Sequence, residues 1–476
     1  MDIQSPSAPK ESLIACHNSQ GVEIRASLLR VARHQAVFEL YNPQTSLRIS
    51  EVLSDFTIFF NDRPVYSGKA VVTGLVNTGV TVLCEASLHD GWADVDFTSH
   101  GVQGEKLREE LSSFIQQWQK LYKVLPEYKL IVADMHTFLS ELRLWLDQVE
   151  LGIRSAPSGD RWQLEQQVIE EVAKPVIPAI NMFFEKFEAI VENIEHDLLP
   201  MHRAYMKRQL HPVVLCSPFA YRTFTKPLGY AGDYEMVNML VRSPYEGSTL
   251  FAKIVNLWFI EQPPAEAHRN RVNYLTQKLL EETVRVTAQG KTARIFNLAC
   301  GPGVEVQRFL TEQRISDQAH FTMLDFNEET LQHVSGALNE IKNRHHRTTS
   351  IRLLKKSVHH LLKESGKAIE RGAADQYDFV YCAGLLDYLP DTVCKRLMSL
   401  MYDWLAPGGL LLATNVDVSN PLRHGMDHLL DWHLNYRNAS EARALYPAQA
   451  PGGSASVRSD MTGVNLFIEV RKPVHA

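Results

Sequence analysis

The chain has 476 residues, too many for one ordinary hydrophobic core, so two or three domains are expected. Its 45% hydrophobic and 22% charged content is that of a soluble globular protein, and a net charge of −6 argues against nucleic acid as the main partner. No apolar run approaches the roughly 20 residues of a membrane span, MDIQSPSAPKES lacks a signal-peptide core, and six cysteines without C-x-x-C spacing argue against zinc or a disulfide framework, so a cytoplasmic chain is expected.

Residues 1–100 read as a small all-β domain. VEIRASLLRV, HQAVFELY, DFTIFF and KAVVTGLV are short and rich in β-branched and aromatic residues, with NPQ, NDRP and NTG as turns between them. Residues 101–210 change to a helical period. Leu107, Leu111, Phe114, Ile115, Trp118 and Leu121 fall on one face, and Val132, Met135, Leu139, Leu142, Leu146 and Val149 step by three and four. The second run is shorter than three heptads, which favours a bundle over a coiled-coil dimer. SAPSGD reads as the turn between two of the helices. A homodimer through the β or helical N-terminal regions is compatible with the pattern.

Residues 211–476 alternate strand and helix. ARIFNLAC, HFTMLDF, IRLLKK, YDFVYCAG and GGLLLATNV are the strands of an α/β domain with a mostly parallel sheet. FNLACGPGVEVQRFL places a G-x-G turn, Gly301 and Gly303, between a strand and a helix, where backbone can approach a ligand closely. About 20 residues on, Asp325 ends the next strand, where a carboxylate can accept both hydroxyls of a ribose. A dinucleotide loop wants a third glycine where Val306 stands, and Glu305 beside it would repel a pyrophosphate. A carboxylate there suits a sulfonium or ammonium group, so the loop reads as a site for S-adenosylmethionine.

These segments resemble the class I methyltransferases, whose first motif is matched here by Asn297 to Gly303. Asn297 stands where an acidic residue is usual, and Ala299 replaces the first glycine. LAPGGLLLATN and SVRSDMTGVNLFIEVRK resemble the family's fifth strand and terminal hairpin, over about the last 190 residues. The resemblance implies a Rossmann-like, seven-stranded α/β domain. It also implies cofactor contacts from Asn297, Ala299, Gly301, Gly303, Asp325, Phe326, Ser357, Val358, Ala383 and Gly384, and acceptor contacts from Leu386, Asp387 and Tyr388.

Upstream, KPLGYAGDYEMV within residues 217–240 reads as a flap over the cofactor, with Tyr230 offered both to the cofactor and as a catalytic donor. With the helical reading of DWHLNYR, this run resembles the bacterial methyltransferases of 3-hydroxypalmitic acid methyl ester biosynthesis (PhcB-like). That likeness implies esterification of a 3-hydroxy fatty acid to a cell-density signal, with a fatty-acyl or other small carboxylate as partner. The N-terminal segment resembles a PilZ barrel but lacks the R-x-x-x-R and D/N-x-S-x-x-G stretches for cyclic di-GMP, so a docking or dimerisation role is expected of it.

A carboxylate acceptor is ionised at neutral pH and needs only donors that hold it, whereas a hydroxyl acceptor needs a base. PLRHGMDHLLDWHLNYR reads as a lid helix from which His424, His428, Trp432 or Tyr436 touches the acceptor; His424, His428 and Asp431 share a face, but no metal is expected. Arg222 and Arg269 are candidate partners of a carboxylate, and NLWFIEQPP with the lid is a candidate tunnel for an apolar chain. Two rivals stand beside the carboxylate reading. One is a methyltransferase with a hydroxyl or protein acceptor, and the other is a non-catalytic sensor of the cofactor, which Asn297 and Ala299 motivate.

Overall fold

In the computed structural model the described residues are 13–40, 47–60, 63–77, 82–89, 91–92, 124–365 and 376–474. Strands β1 (Leu13–His17), β2 (Glu23–Ala32), β3 (Gln35–Leu40), β4 (Val52–Phe60), β5 (Arg63–Asn77) and β6 (Val82–Leu88) close a barrel in the order β1-β2-β3-β6-β5-β4. All of its pairings are antiparallel, and closure leaves no unpaired edge. The period-2 alternation turns Ala36, Phe38 and Leu40 inward against Phe56, Ile58 and Tyr66. This is the all-β domain the sequence indicates.

Helices α1 (Pro126–Ser155) and α2 (Arg161–Val191) follow, joined at SAPSGD as expected. Val132, Met135, Leu139 and Leu146 are buried in one cluster with Ile169, Val176, Phe184 and Phe187. The chain's own helices therefore fill that seam, as a bundle does. The face from Leu107 to Leu121 lies outside the described residues.

The same cluster continues through α3 (Leu199–Val214), α4 (Pro218–Thr225), α5 (Tyr234–Val241), α6 (Leu250–Glu261) and α7 (Pro263–Thr287). It takes in Tyr388, Leu429 and Trp432 from the α/β region. Residue 210 is thus a change of sequence character without being a break in packing.

Strands β7 (Ala293–Leu298), β8 (Ala319–Asp325), β9 (Ser350–Lys355), β10 (Tyr377–Cys382), β11 (Leu405–Val416), β12 (Ala455–Ser459) and β13 (Asn465–Arg471) form a sheet in the order β12-β13-β11-β10-β7-β8-β9. Only β13 runs antiparallel to its neighbours. Strand order reverses between β7 and β10, so a crevice opens at their carboxyl ends, where open α/β sheets bind ligands. Helices α8 (Val304–Glu312), α9 (Glu328–His345), α10 (Val358–Ser365) and α11 (Asp391–Asp403) flank the sheet.

The region expected as one lid helix is shorter. Helix α12 (Arg423–Leu430) stops at Asp431, whose left-handed backbone (φ 48°) ends it, and DWHLNYR continues without helical structure to α13 (Ala439–Arg443). The turn is held because Ser50 Oγ of the barrel donates to the Asp431 and His433 carbonyls, each at 3.1 Å. No helix among the described residues is long and apolar enough to cross a membrane.

Candidate active site

Leaving β7, the chain passes through three left-handed residues, Ala299 (φ 56°), Gly301 (φ 52°) and Gly303 (φ 61°), and enters α8. The left-handed backbone favours glycine at Gly303, where a Cβ would also press on Met323 Cε at 2.8 Å, the end of a flexible side chain. Ala299 adopts a conformation that residues with a Cβ seldom take. The Gly301 N–H donates to Asp325 Oδ2 at 3.2 Å and the Asn327 N–H to Oδ1 at 3.0 Å. Burial raises the Asp325 pKa, opposed by these donors and by Arg48.

Beneath the loop, Glu305 Oε1 accepts from the Tyr381 hydroxyl at 2.8 Å and from Asn297 Nδ2 at 3.0 Å. A carboxylate thus lies against Asn297 from eight residues later, in the first turn of α8. Burial raises the Glu305 pKa, with Tyr381, Arg271 and Asn297 working against it. A cation in the cavity would hold it ionised.

The flap is fixed from within and from the barrel. Arg222 pairs with Asp233 at 2.8–2.9 Å, and Asp233 Oδ1 caps α5 by accepting from the Met236 N–H at 2.9 Å. Tyr230 packs on Phe326 with ring centroids 5.4 Å apart, and the Arg48 guanidinium lies 4.9 Å from the other ring's centroid, that of Phe326. The Val52 N–H of β4 donates to the Gly229 carbonyl at 2.7 Å.

Gly229 has φ 86°, and a Cβ there would meet Ser19 Cβ at 2.6 Å. Gly229→Ala is therefore expected to lift the flap from the barrel. Cofactor affinity should fall roughly ten-fold, the scale of the ~1–3 kcal/mol cost of overpacking. Calorimetric titration with S-adenosylhomocysteine checks this, and an unchanged affinity would show that the barrel does not steady the flap.

The cavity over the sheet is walled by Tyr230, Asn297, Ala299, Gly301, Asp325, Phe326, Val358, Ala383, Gly384, Asp387, Tyr388 and Trp432, all named from the sequence. Eight other sequence candidates lie elsewhere. Gly303 is the turn behind the loop, Ser357 Oγ faces His360 and its N–H at the start of α10, and Leu386 is core. Tyr436 packs beside Val416 and Val464.

His428 is buried in the helical core, its Nδ1 2.8 Å from the Tyr128 hydroxyl, and burial drives its pKa well down. His424 sits where Glu188 of α2 accepts its N–H and that of Gly425, at 3.1 and 2.7 Å. Arg222 is spent on Asp233, and Arg269 donates to the Leu240 and Ile260 carbonyls at 3.3 and 2.8 Å. The Asp431 carboxylate turns toward Lys207 and His89 rather than to the two histidines.

Sequence reasoning missed Arg48, His268, Arg271 and Lys356 in the wall. Arg271, on α7, is 8% exposed, and a Cβ on Gly384 would come within 2.7 Å of its Nη1. Burial lowers its pKa, while Asp387 and Glu305 pull it up. His268 Nδ1 lies 3.0 Å from the Pro264 carbonyl and donates to it, and burial pushes this side chain down to about 3.

Arg271, His268, Val416, Trp432 and Leu434 also wall a second, apolar cavity behind the first. Its remaining lining includes Phe259 and Pro264 of the NLWFIEQPP stretch and Met426 and Leu430 of α12. A buried guanidinium thus stands at the junction of the glycine-loop cavity and an apolar one.

Residues 268–450 match the family model described as a methyltransferase domain. No curated protein matches the chain. Among solved structures, a possible exported protein from Bordetella parapertussis is 15% identical with a TM-score of 0.40, over 63% of this chain and 97% of that one. Magnesium protoporphyrin IX methyltransferase from Synechocystis PCC 6803, with bound SAH, is 11% identical with a TM-score of 0.30, over 43% and 84%. The N-methyltransferase NodS from Bradyrhizobium japonicum WM9, in complex with S-adenosyl-L-homocysteine, is 15% identical with a TM-score of 0.30, over 50% and 98%.

Proposed function

We propose that this methyltransferase esterifies the carboxyl group of an acid with an apolar chain, of the 3-hydroxy fatty acid class, using S-adenosylmethionine. The cavity suits that cofactor. Asp325 ends β8 at the position for ribose hydroxyls, nothing stands within 4 Å of a Cβ at Gly301, and Glu305 gives the floor a negative charge for an amino acid cation. Asp325→Ala is expected to weaken S-adenosylhomocysteine binding by at least 100-fold, since two hydrogen bonds to a charged group are worth about 1.5–3 kcal/mol each. Calorimetry reads this directly, and a change under three-fold would remove Asp325 from the ribose site.

The observation that carries the acceptor assignment is Arg271. Its guanidinium can hold one carboxylate oxygen while the other faces the glycine-loop cavity, and the apolar cavity behind takes the chain. Bound S-adenosylmethionine supplies an electrophilic methyl on a sulfonium: the carboxylate oxygen forms the new C–O bond as the C–S bond breaks, and S-adenosylhomocysteine leaves. No proton moves, so no base is required.

The chain's own groups align and desolvate the acceptor. Tyr230 and Trp432 close the cavity, and the Trp432 Nε1–H donates to the Tyr388 hydroxyl at 3.0 Å, fixing both rings. His424 and His428 do not line the cavity, and of the histidines among the described residues His268 is the one that does. At a pKa of about 3 that imidazole is a poor base for an alcohol or phenol.

The test is label transfer from S-adenosylmethionine to 3-hydroxy fatty acids of increasing length, read by mass spectrometry. Base-labile methyl esters are expected, formed faster as the chain fills the apolar cavity. Turnover confined to phenols or proteins would sink the carboxylate reading, and cofactor binding without any product would favour a sensor.

A further inference from the structure

A second cleft, of about 430 Å³, lies between the barrel and α3 and shares no wall residue with the catalytic cavity. Arg203, Lys207 and His211 recur at every fourth residue of α3 and line it from one side. Strands β5 and β6 and the β2–β3 turn line it from the other, through Thr73, Ser87 and Arg33. The lining holds four lysine or arginine cations, Arg33, Arg203, Lys207 and Arg208, against a single carboxylate, Glu85.

Three of these charges, those of Glu85, Lys207 and Arg208, already have partners within the chain. Glu85 accepts from the Gln35 amide and lies 3.5 Å from His196 Nε2, and Lys207 is paired with Asp431 at 2.8 Å. Arg203 is different. It is 8% exposed, its Nε has no hydrogen-bond partner, and no carboxylate pairs with it among the described residues. A guanidinium so buried without a counterion is costly unless an anion completes it.

Two neutral donors share its condition. Ser87, also 8% exposed, has an Oγ without a partner, and so does Thr73 at its Oγ1. Thr73 falls where the β5–β6 register shifts between Val72 and Gly74, an irregularity of the kind that re-aims a side chain out of the ladder. Three donors lacking acceptors thus meet on one cationic cleft.

We propose that this cleft binds a small oxyanion ligand of two or more negative charges, a phosphate ester or a polycarboxylate, with Arg203 as its counterion and Ser87 and Thr73 as hydroxyl donors. Oxyanions fit because each donor needs an acceptor and charge-assisted bonds to guanidinium are the strongest available.

The test titrates the full chain with pyrophosphate and, separately, with citrate, at roughly 150 mM salt, where the Debye length is about 8 Å and diffuse surface charge is screened. One-to-one binding of at least one anion is expected, and Arg203→Gln should weaken it ten-fold or more while S-adenosylhomocysteine affinity stays unchanged. Pyrophosphate alone would identify phosphate chemistry and citrate alone polycarboxylate chemistry; either supports the site. Absence of saturable binding by both, or unchanged affinity in Arg203→Gln, overturns it. Should that variant fail to fold, Thr73→Val and Ser87→Ala decide: each is expected to weaken the anion three-fold or more, and unchanged affinity in both overturns the site.

Discussion

Arg271→Gln is expected to lower kcat/KM for a fatty-acid acceptor by about 30- to 3000-fold and to leave cofactor affinity within about three-fold. Truncating one partner of a buried, hydrogen-bonded charge pair costs about 2–5 kcal/mol, and each 1.4 kcal/mol is a decade. The proposed cofactor contacts, Asp325, the glycine loop and Glu305, all remain in this variant, so the loss should fall chiefly on the acceptor. Glutamine keeps a donor and much of the volume, which separates loss of charge from loss of packing.

Arg271→Lys should recover part of the rate, because an ammonium matches the charge without the two-pronged geometry. Removing the guanidinium also takes from Glu305 and Asp387 a cation that opposes their upward pKa shifts, although Asp387 keeps Arg437. Both then favour the protonated form at higher pH. Initial rates against acceptor concentration, with parallel S-adenosylhomocysteine titrations, check all of this. A wild-type rate in Arg271→Gln would end the carboxylate assignment.

Asp431→Asn is expected to cost about 3–5 kcal/mol of stability, the penalty for stranding one half of a buried ion pair. The Asp431 side chain is fully buried, with Lys207 Nζ at 3.0 and 2.8 Å from its two oxygens and His89 Nε2 at 2.8 Å. Burial alone would raise its pKa, but Lys207, His89 and Lys226 overcome that and hold it well below the ordinary carboxylate range. The sign follows. A depressed folded pKa contributes stability that is complete above the unfolded value near 4 and is lost as pH falls through the folded pKa. The wild type should therefore lose melting temperature on acidification more steeply than Asp431→Asn, which starts lower at neutral pH. Parallel melting curves below pH 4 would refute the pairing.

The legible parts of this chain are those written in local spacing. Gly301, Gly303 and Asp325 are fixed by a strand, a turn and the next strand, and such short-range order survives without knowledge of the rest. The barrel strands follow from alternation, and the seam from Val132 to Leu146 follows from helical period. Contacts between distant segments left no such mark. Arg271 reads as one more charge on a polar helix, because nothing near it in sequence reports that Gly384 leaves it room.

His424 and His428 share a helix face, as expected, but that face meets Tyr128 and Glu188, some 240 to 300 residues earlier in the chain. DWHLNYR carries helix-compatible residues, yet Ser50 and the Asp431 ion pair hold it in another conformation. In that segment tertiary partners overrode a local preference that was weak to begin with. Asn297 stands where an acid is usual, and its spacing in sequence does not report that the Glu305 carboxylate lies against it from the next helix.

The cluster around Asp431 bears on how such a chain can change over generations. His89 comes from the barrel region, Lys207 from the helical region and Asp431 from the α/β region, and the next residue, Trp432, walls the glycine-loop cavity. A recombination that exchanged the barrel for another module would strand charges beneath the reaction chamber, and one that took the methyltransferase region alone would uncover Tyr388, Leu429 and Trp432. The segments look like separable units, but lineages should inherit them together, and viable shuffling should be confined to partners that carry their own answer to a buried aspartate.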